Sequence, residues 1–249
     1  MFIKLISLNT WGGRVGEPLL EFFRRHQGID IFCLQEVFSR SKNPEIAENL
    51  EPEVIGDLYQ RLEELLPEHQ LSFLPITGDF YGLACAVKRN LAISNKGLVV
   101  LHRGQENPDL KKGTDHDRKM QWLEVVKNGH HYCIMNAHGL WTKHKLDNQD
   151  RLWQSKQIID FLRHSDRHIK KALVGDFNLL PETESIGMIE KYFINLIKTN
   201  RVKSTRTSFC KLKDRLADYV FVSPDVNVVD FAVLPNEVSD HNALYVEFN

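Results

Sequence analysis

The chain has 249 residues, 42% of them hydrophobic and 26% charged, with a formal net charge of -1. This is ordinary globular composition, long enough to bury a core without staples. It excludes a polycation that coats nucleic acid indiscriminately, so any affinity for a polyanion must come from local patches. Cys33, Cys85, Cys133 and Cys210 form no C-x-x-C pair, and three of them stand inside apolar runs. They read as small buried hydrophobes in a reducing compartment, not as disulfides or a zinc site. The N-terminus is too short and interrupted for a signal peptide, and no apolar run approaches the roughly 18 residues of a membrane span. The expectation is a soluble, cytoplasmic monomer with no obligate protein partner.

Residues 4–8 alternate like a strand. Pro18 opens a short helix with Leu19, Phe22, Phe23 and His26 on one face, Arg24 and Arg25 in its last turn, and Gly28 as its stop. The continuous apolar run at 30–34 predicts a buried strand. From about 47 to 66, Leu50, Val54, Leu58, Leu62 and Leu65 recur at helical spacing. Segments 71–76, 82–88, 97–101, 119–127 and 131–136 read as strands, with a polar loop over 102–118. A helix over 149–164 would turn Leu152, Ser155, Ile159 and Leu162 inward. A strand at 171–175, a helix near 182–192 and strands at 218–222 and 242–248 close the chain. Many strands, few helices and no linker predict one domain over 1–249, a two-sheet sandwich with helices outside.

Polar residues stand at the boundaries of these strands. Asn9 follows the first, Glu36 the second, and His138 the run Tyr-Cys-Ile-Met; Asp176 and Asn178 follow Lys-Ala-Leu. Asp218 opens Asp-Tyr-Val-Phe-Val, and Asp240 and His241 precede the last strand. In antiparallel neighbours the end of one strand lies beside the start of the next, so these residues can gather on one edge. Carboxylate and amide oxygens are hard ligands for Mg²⁺, and histidines can donate to phosphate oxygens, a set suited to phosphoryl transfer. Taken singly, each has a plainer reading: a turn residue, a solvated strand end, a core histidine or a turn cap. The ordered constellation points to chemistry.

Leu-Asn9-Thr-Trp-Gly, Leu-Gln-Glu36-Val, Gly-Asp176-Phe-Asn178, Arg-Leu-Ala-Asp218-Tyr-Val-Phe-Val and Ser-Asp240-His241-Asn follow one another along the chain. Together they resemble the signature blocks of the endonuclease/exonuclease/phosphatase superfamily, in its order. The resemblance implies a DNase I-like four-layer α/β sandwich, two mixed β-sheets packed face to face with helices outside and the active site at one edge. It implies a hydrolase of phosphoester bonds using Mg²⁺ or Mn²⁺. Glu36 would be the principal metal ligand, helped by Asn9 and Asp240. Asp176 would activate or orient water, Asn178 hold the phosphate, and His241, paired with Asp218, stabilise pentavalent phosphorus. His138 sits where DNase I-like and sphingomyelinase-like members place a histidine near the leaving group.

Asp115-His116-Asp117 lies in a polar stretch without partner motifs and reads as a solvated loop. No G-x-S-x-G, Walker, G-x-G-x-x-G or H-E-x-x-H motif is present. Charge is uneven: 198–215 is basic and 45–68 acidic, while Trp141, Lys143, His144 and Lys145 follow His138. A basic rim of Arg118, Trp141, Lys143, Arg151, Lys203 and Arg206 would bind an anionic phosphoester, nucleic acid first, although surface or helix-capping roles are the default for Arg118 and Arg151. The alternatives are an inositol phosphate, phospholipid or other small phosphoester, or an inactive binding protein on the same fold.

Overall fold

The computed structural model of the chain describes residues 2–43, 45, 48–104 and 116–249. In β1 (Ile3–Asn9), alternation sorts the side chains between two cores. Ile3 and Leu5 enter the core between the sheets, with Ser7 and Asn9 next on that face; Ile6 and Leu8 enter an outer core. α1 (Glu17–Arg25) covers this outer core with Leu19, Phe22 and Phe23, and is the crossover to β2 (Ile31–Phe38), which pairs parallel to β1. α2 (Leu58–Leu65) adds Leu58 and Leu62 to the same core.

The rest of the first sheet comes from β3 (His69–Thr77) and β4 (Tyr81–Lys88), then from β11 (Val228–Val233) and β12 (Leu244–Phe248) at the end of the chain. Its order is β11-β12-β1-β2-β4-β3. The second sheet runs β5-β6-β7-β8-β10-β9. Its members are β5 (Ala92–His102), β6 (Arg118–Lys127), β7 (His130–His138), β8 (Lys170–Asp176), β9 (Ile194–Asn195) and β10 (Asp218–Val222). Helices α3 (Gln149–His164), α4 (Glu184–Glu190) and α5 (Leu196–Thr199) accompany it. α3 is the crossover between β7 and β8, again a parallel pair. The molecule is two mixed six-stranded sheets face to face with helices outside.

The expected helix over 47–66 shortens to α2, because Pro52 and Gly56 interrupt the apolar spacing. Residue 47 lies outside the described residues, and Val54 turns toward the cavity described below. Of the 102–118 loop, residues 105–115 also lie outside them, while His102 closes β5 and Arg118 opens β6. α3 buries Arg151, Gln154, Ser155, Ile158 and Ile159, with Leu152 and Leu162 only half-buried, so its inner face is rotated from the expected one. β11 was not expected, although Val-Val-Asp-Phe-Ala-Val followed by Pro235 is strand-like.

Candidate active site

The two parallel pairs end side by side. Asn9 closes β1, and His138 and Asp176 are register partners at the ends of β7 and β8. Asp176 is also the register partner of Asp218 at the start of β10. Gly175 allows the β7–β8 approach: it has φ +134, and a Cβ there would meet the Ala137 carbonyl oxygen at 1.9 Å. Between the sheets, Gln35 donates to Asn136 Oδ1 at 2.6 Å, and Asn136 donates to the carbonyls of Leu34 and Ala84. This buried amide pair fixes one sheet against the other just below the cavity.

Alternation alone would send Glu36 outward with Phe32 and Leu34. A register shift between Leu34 and Val37, with Glu36 at φ +54, turns it into the cavity. Val37 then resumes the outer core. Trp11 (φ +51) and Asn178 (φ +55) are left-handed too and line the same cavity. Such backbone costs about 1–3 kcal/mol per residue and collects at functional sites. Thr10 fastens the bulge, its hydroxyl shared between the Gln35 and Glu36 carbonyls.

The cleft has a volume of about 320 Å³. Asn9 Nδ2 donates to two of the cleft's lining carboxylates, Glu36 Oε1 and Asp176 Oδ2, each at 3.0 Å, while its Oδ1 accepts from Trp11 N. His241 Nδ1 lies 2.7 Å from Asp218 Oδ1, and Thr205 donates to the other oxygen of Asp218 at 2.6 Å. His241 Nε2 faces Asp176 Oδ2 at 3.6 Å and Asp240 Oδ1 at 3.7 Å. Asp176 accepts from Asn178 N at 2.9 Å, and the Asn178 Oδ1 is buried with no partner among the described residues. Ser239 donates to the Asn9 carbonyl at 2.7 Å and joins the last loop to β1.

Charges sort the ionisable groups. Burial pushes the Glu36 carboxyl up against the hydrogen bond from Asn9, and Asp240 and Asp176 push it further. Burial also opposes ionisation of Asp176, but His241, Arg206, His138 and Lys145 outweigh it and hold that carboxyl well below its usual range. Burial would lower His241; Asp218, with Asp240 and Asp176, overcomes burial and Arg206 and raises it. His138 is driven far down by burial and then by Arg118, whose Nη1 lies 2.9 Å from its Nε2. The same Nη1 lies 3.3 Å from Nδ1, so the guanidinium faces both ring nitrogens and favours the neutral imidazole.

Of the anticipated rim, Arg118, Trp141 and Arg206 line the cleft. Arg206 is no outer contact: it is buried, donates to Asp240 Oδ2 at 2.9 Å and rests against His241. Arg151 is spent elsewhere, its buried guanidinium donating to the carbonyls of His144, Leu146, Leu140 and Asn178. Lys143 and Lys203 are exposed and do not line the cleft. The basic strip is also broken where Arg215 turns in to the carbonyls of Arg206, Thr207 and Cys210 and Lys198 binds Glu190. His116, read from sequence as part of a solvated loop, is buried and lines the cleft; Asp115 lies outside the described residues. Tyr81 stands in no motif, and only tertiary packing brings it into the cleft; Lys145, part of the basic stretch after His138, is buried instead of exposed on a rim, and its charge acts on Asp176.

Central strands thus bring carboxylates, an amide and His138 to one edge, beside His241 on the loop before β12. The Endonuclease/Exonuclease/phosphatase family profile matches residues 6–241, and the chain belongs to that family. No curated protein sequence matches it. Among solved structures it is similar to an endonuclease/exonuclease/phosphatase from Bacteroides vulgatus (19% identity, TM-score 0.74, 100% of this chain and 99% of that one). It is also similar to the Bacteroides thetaiotaomicron mannosyl-6-phosphatase (16%, 0.74, 99% of each chain). A third is a humanized D. rerio TDP2 (18%, 0.71, 100% and 99%). At these identities the likeness shows the fold.

Proposed function

We propose that this protein hydrolyses phosphoesters with the help of a divalent cation, acting through residues 1–249 as one domain, with phosphodiesters of nucleic acid as the first substrate class. The observation that carries the reading is the continuous array of Asp218, His241 and Asp176 beside Glu36 and Asn9. The inactive-protein alternative has no support in this array, because every acidic and histidine position of the motifs is filled.

The donor set fits a hard cation. Glu36 and Asp240 supply oxygen, Asn9 turns its nitrogen to Glu36 and Asp176 and would supply oxygen once its amide is turned over, and among the described residues no thiol lines the cleft. The like charges of Asp240 and Asp176 against Glu36 are the repulsion that a cation relieves. Glu36, Asn9 and Asp240 would hold Mg²⁺ or Mn²⁺, which when bound offsets charge on the phosphoryl oxygens. Asp176, Asp218 and His241 also offer ligand atoms within 4.8 Å of one another, but His241 is already tied to Asp218 and Arg206, which favours a proton-holding role.

The protein groups divide the remaining work. Asp176, an anion, orients a water for in-line attack. His241, fixed through Nδ1 by Asp218, which also favours its protonated form, would donate from Nε2 to a phosphate oxygen that takes the place of the Arg206 guanidinium now in contact with that nitrogen. Arg206 fixes Asp240 and His241, and Asn178 turns its amide to the phosphate. Exposed Lys211 and Lys213, beside the cleft-lining Leu212, together with Trp141 suit a polyanion with flat bases. A second reading, a sugar phosphomonoesterase, is favoured by the likeness to a protein named mannosyl-6-phosphatase and by the compact cleft. The buried free thiols fit a reducing, cytoplasmic setting, and no described helix is long and apolar enough to cross a membrane.

The test is a panel of single- and double-stranded DNA, RNA, a phosphoinositide, sphingomyelin and mannose 6-phosphate with Mg²⁺ or Mn²⁺. We expect turnover that EDTA abolishes, highest on a nucleic acid. Full activity in EDTA would remove the metal, and no turnover of any member would remove the function.

A further inference from the structure

We propose that His116 determines substrate specificity by hydrogen-bonding a hydroxyl on the carbon skeleton that carries the phosphate. The proposal rests on the phosphoesterase reading and names the chemistry of the organic part of its substrate.

Three observations carry it. His116 lines the cleft at 5% exposure, and its Nε2 is buried without a hydrogen-bond partner among the described residues. Two residues along, at the start of β6, Arg118 also lines the cleft, and its Nε is likewise buried and unpartnered among the described residues. Leaving a buried polar atom unpaired is costly, so two such atoms on residues that line one cavity call for a polar partner, which a ligand supplies when the side chains turn to it. The imidazole is also held in place. Tyr81 meets it edge-on, with centroids 5.3 Å apart at 89°, and Phe38 packs against Tyr81 at 5.2 Å. Asp117, between His116 and Arg118, accepts from Gly104 N at 3.1 Å and fixes the backbone there.

The surroundings decide which polar atom it receives. The phosphate-directed groups, Asp176, Asn178, His241 and Arg206, line the cleft. Phe38, Val54, Tyr81 and Trp11 form an apolar wall, where a carbon skeleton would rest. Burial and Arg118 push His116 down to about 3, so near neutral pH it brings no charge for a second phosphate. A neutral imidazole offers one donor and one acceptor, and a hydroxyl complements both. The hydroxyl could belong to the ribose of a nucleotide or to a hexose.

The experiment compares matched pairs in kcat/KM: an adenine dinucleotide in ribo and 2′-deoxyribo form, and glucose 6-phosphate against cyclohexylmethyl phosphate. Bis(4-nitrophenyl) phosphate, which has no hydroxyl, serves as the control. Wild type should favour the hydroxylated member of at least one pair by about tenfold or more, the worth of roughly one hydrogen bond. The pair that responds identifies the source. His116→Phe should reduce the ratio below about twofold, while His116→Gln, which still hydrogen-bonds, should keep part of it. Neither should change turnover of the control by more than about threefold. If the Phe variant does not fold, a ratio lowered in the Gln variant, in part or wholly, supports the proposal and full retention overturns it. Wild type that cleaves the control but prefers neither hydroxylated member overturns the proposal alone, as does a preference that survives in His116→Phe. No cleavage of any substrate overturns this proposal together with the function on which it rests.

Discussion

His138 and His241 share one cleft, and each lies against a guanidinium, yet their neighbours drive them in opposite directions. At the His138 corner, Arg118 occupies Nε2 at 2.9 Å, and the nearest carboxylate oxygens, of Glu36 and Asp176, stand 3.8 and 4.0 Å away. Burial and the guanidinium prevail there, and the ring is neutral. At the His241 corner, Asp218 lies at 2.7 Å, with Asp176 and Asp240 at 3.6 and 3.7 Å. Three carboxylates outweigh burial and Arg206, and the pKa of the ring is raised. The same residue type is thus driven toward its neutral form in one corner and toward its protonated form in the other, according to the distance of the anions.

The largest effect should come from removing the cationic corner. His241→Ala and Asp176→Asn should each lower kcat/KM by about 10²–10⁴-fold, with the fold retained by circular dichroism. A folded variant losing less than threefold would take that residue out of the chemistry.

Asp218→Asn should do less to activity, about 10²-fold, but it tests the cause directly. In metal-free protein the His241 pKa, followed by NMR, should fall in the variant. The sign of the stability effect follows. A histidine whose folded pKa is raised contributes stability that is fully present below about 6.5 and lost as pH rises through the folded value. The Tm difference between wild type and Asp218→Asn should therefore be largest below pH 6.5 and shrink at higher pH. A difference that does not change with pH would separate Asp218 from the charge of His241.

Arg118→Met should move the other corner the opposite way. With the guanidinium gone, the His138 pKa should rise while that of His241 hardly changes, and both are readable in one NMR titration. An unmoved His138 would leave burial as its sole control.

The smallest effect concerns histidines kept neutral by burial away from the carboxylates. His69, bonded through Nε2 to the Ile29 carbonyl, and His116 both have lowered pKa values. The unfolded chain takes up their protons first, so stability should fall as pH drops below about 6.5. Each kcal/mol lost should appear as roughly 2–4 °C in Tm. A Tm constant from pH 6.5 to 4.5 would show that these rings do protonate in the folded protein.

The sequence determined which residues stand at strand ends. Alternation in Ile3–Asn9 and the apolar runs before Glu36, His138 and Asp176 reveal the central strands and the polar groups that close them, because strand periodicity and burial are local properties. Tertiary structure decided where those groups point and what they meet. A shifted register and a left-handed backbone, not alternation, bring Glu36 into the cleft. Arg151 and Arg206 read alike as surface cations, but one holds four carbonyls and the other sits between Asp240 and His241. His116 looked like loop and became cleft wall because Tyr81, 35 positions earlier, packs edge-on against it. A side chain's charge state and direction depend on neighbours distant in the chain, which no local pattern encodes.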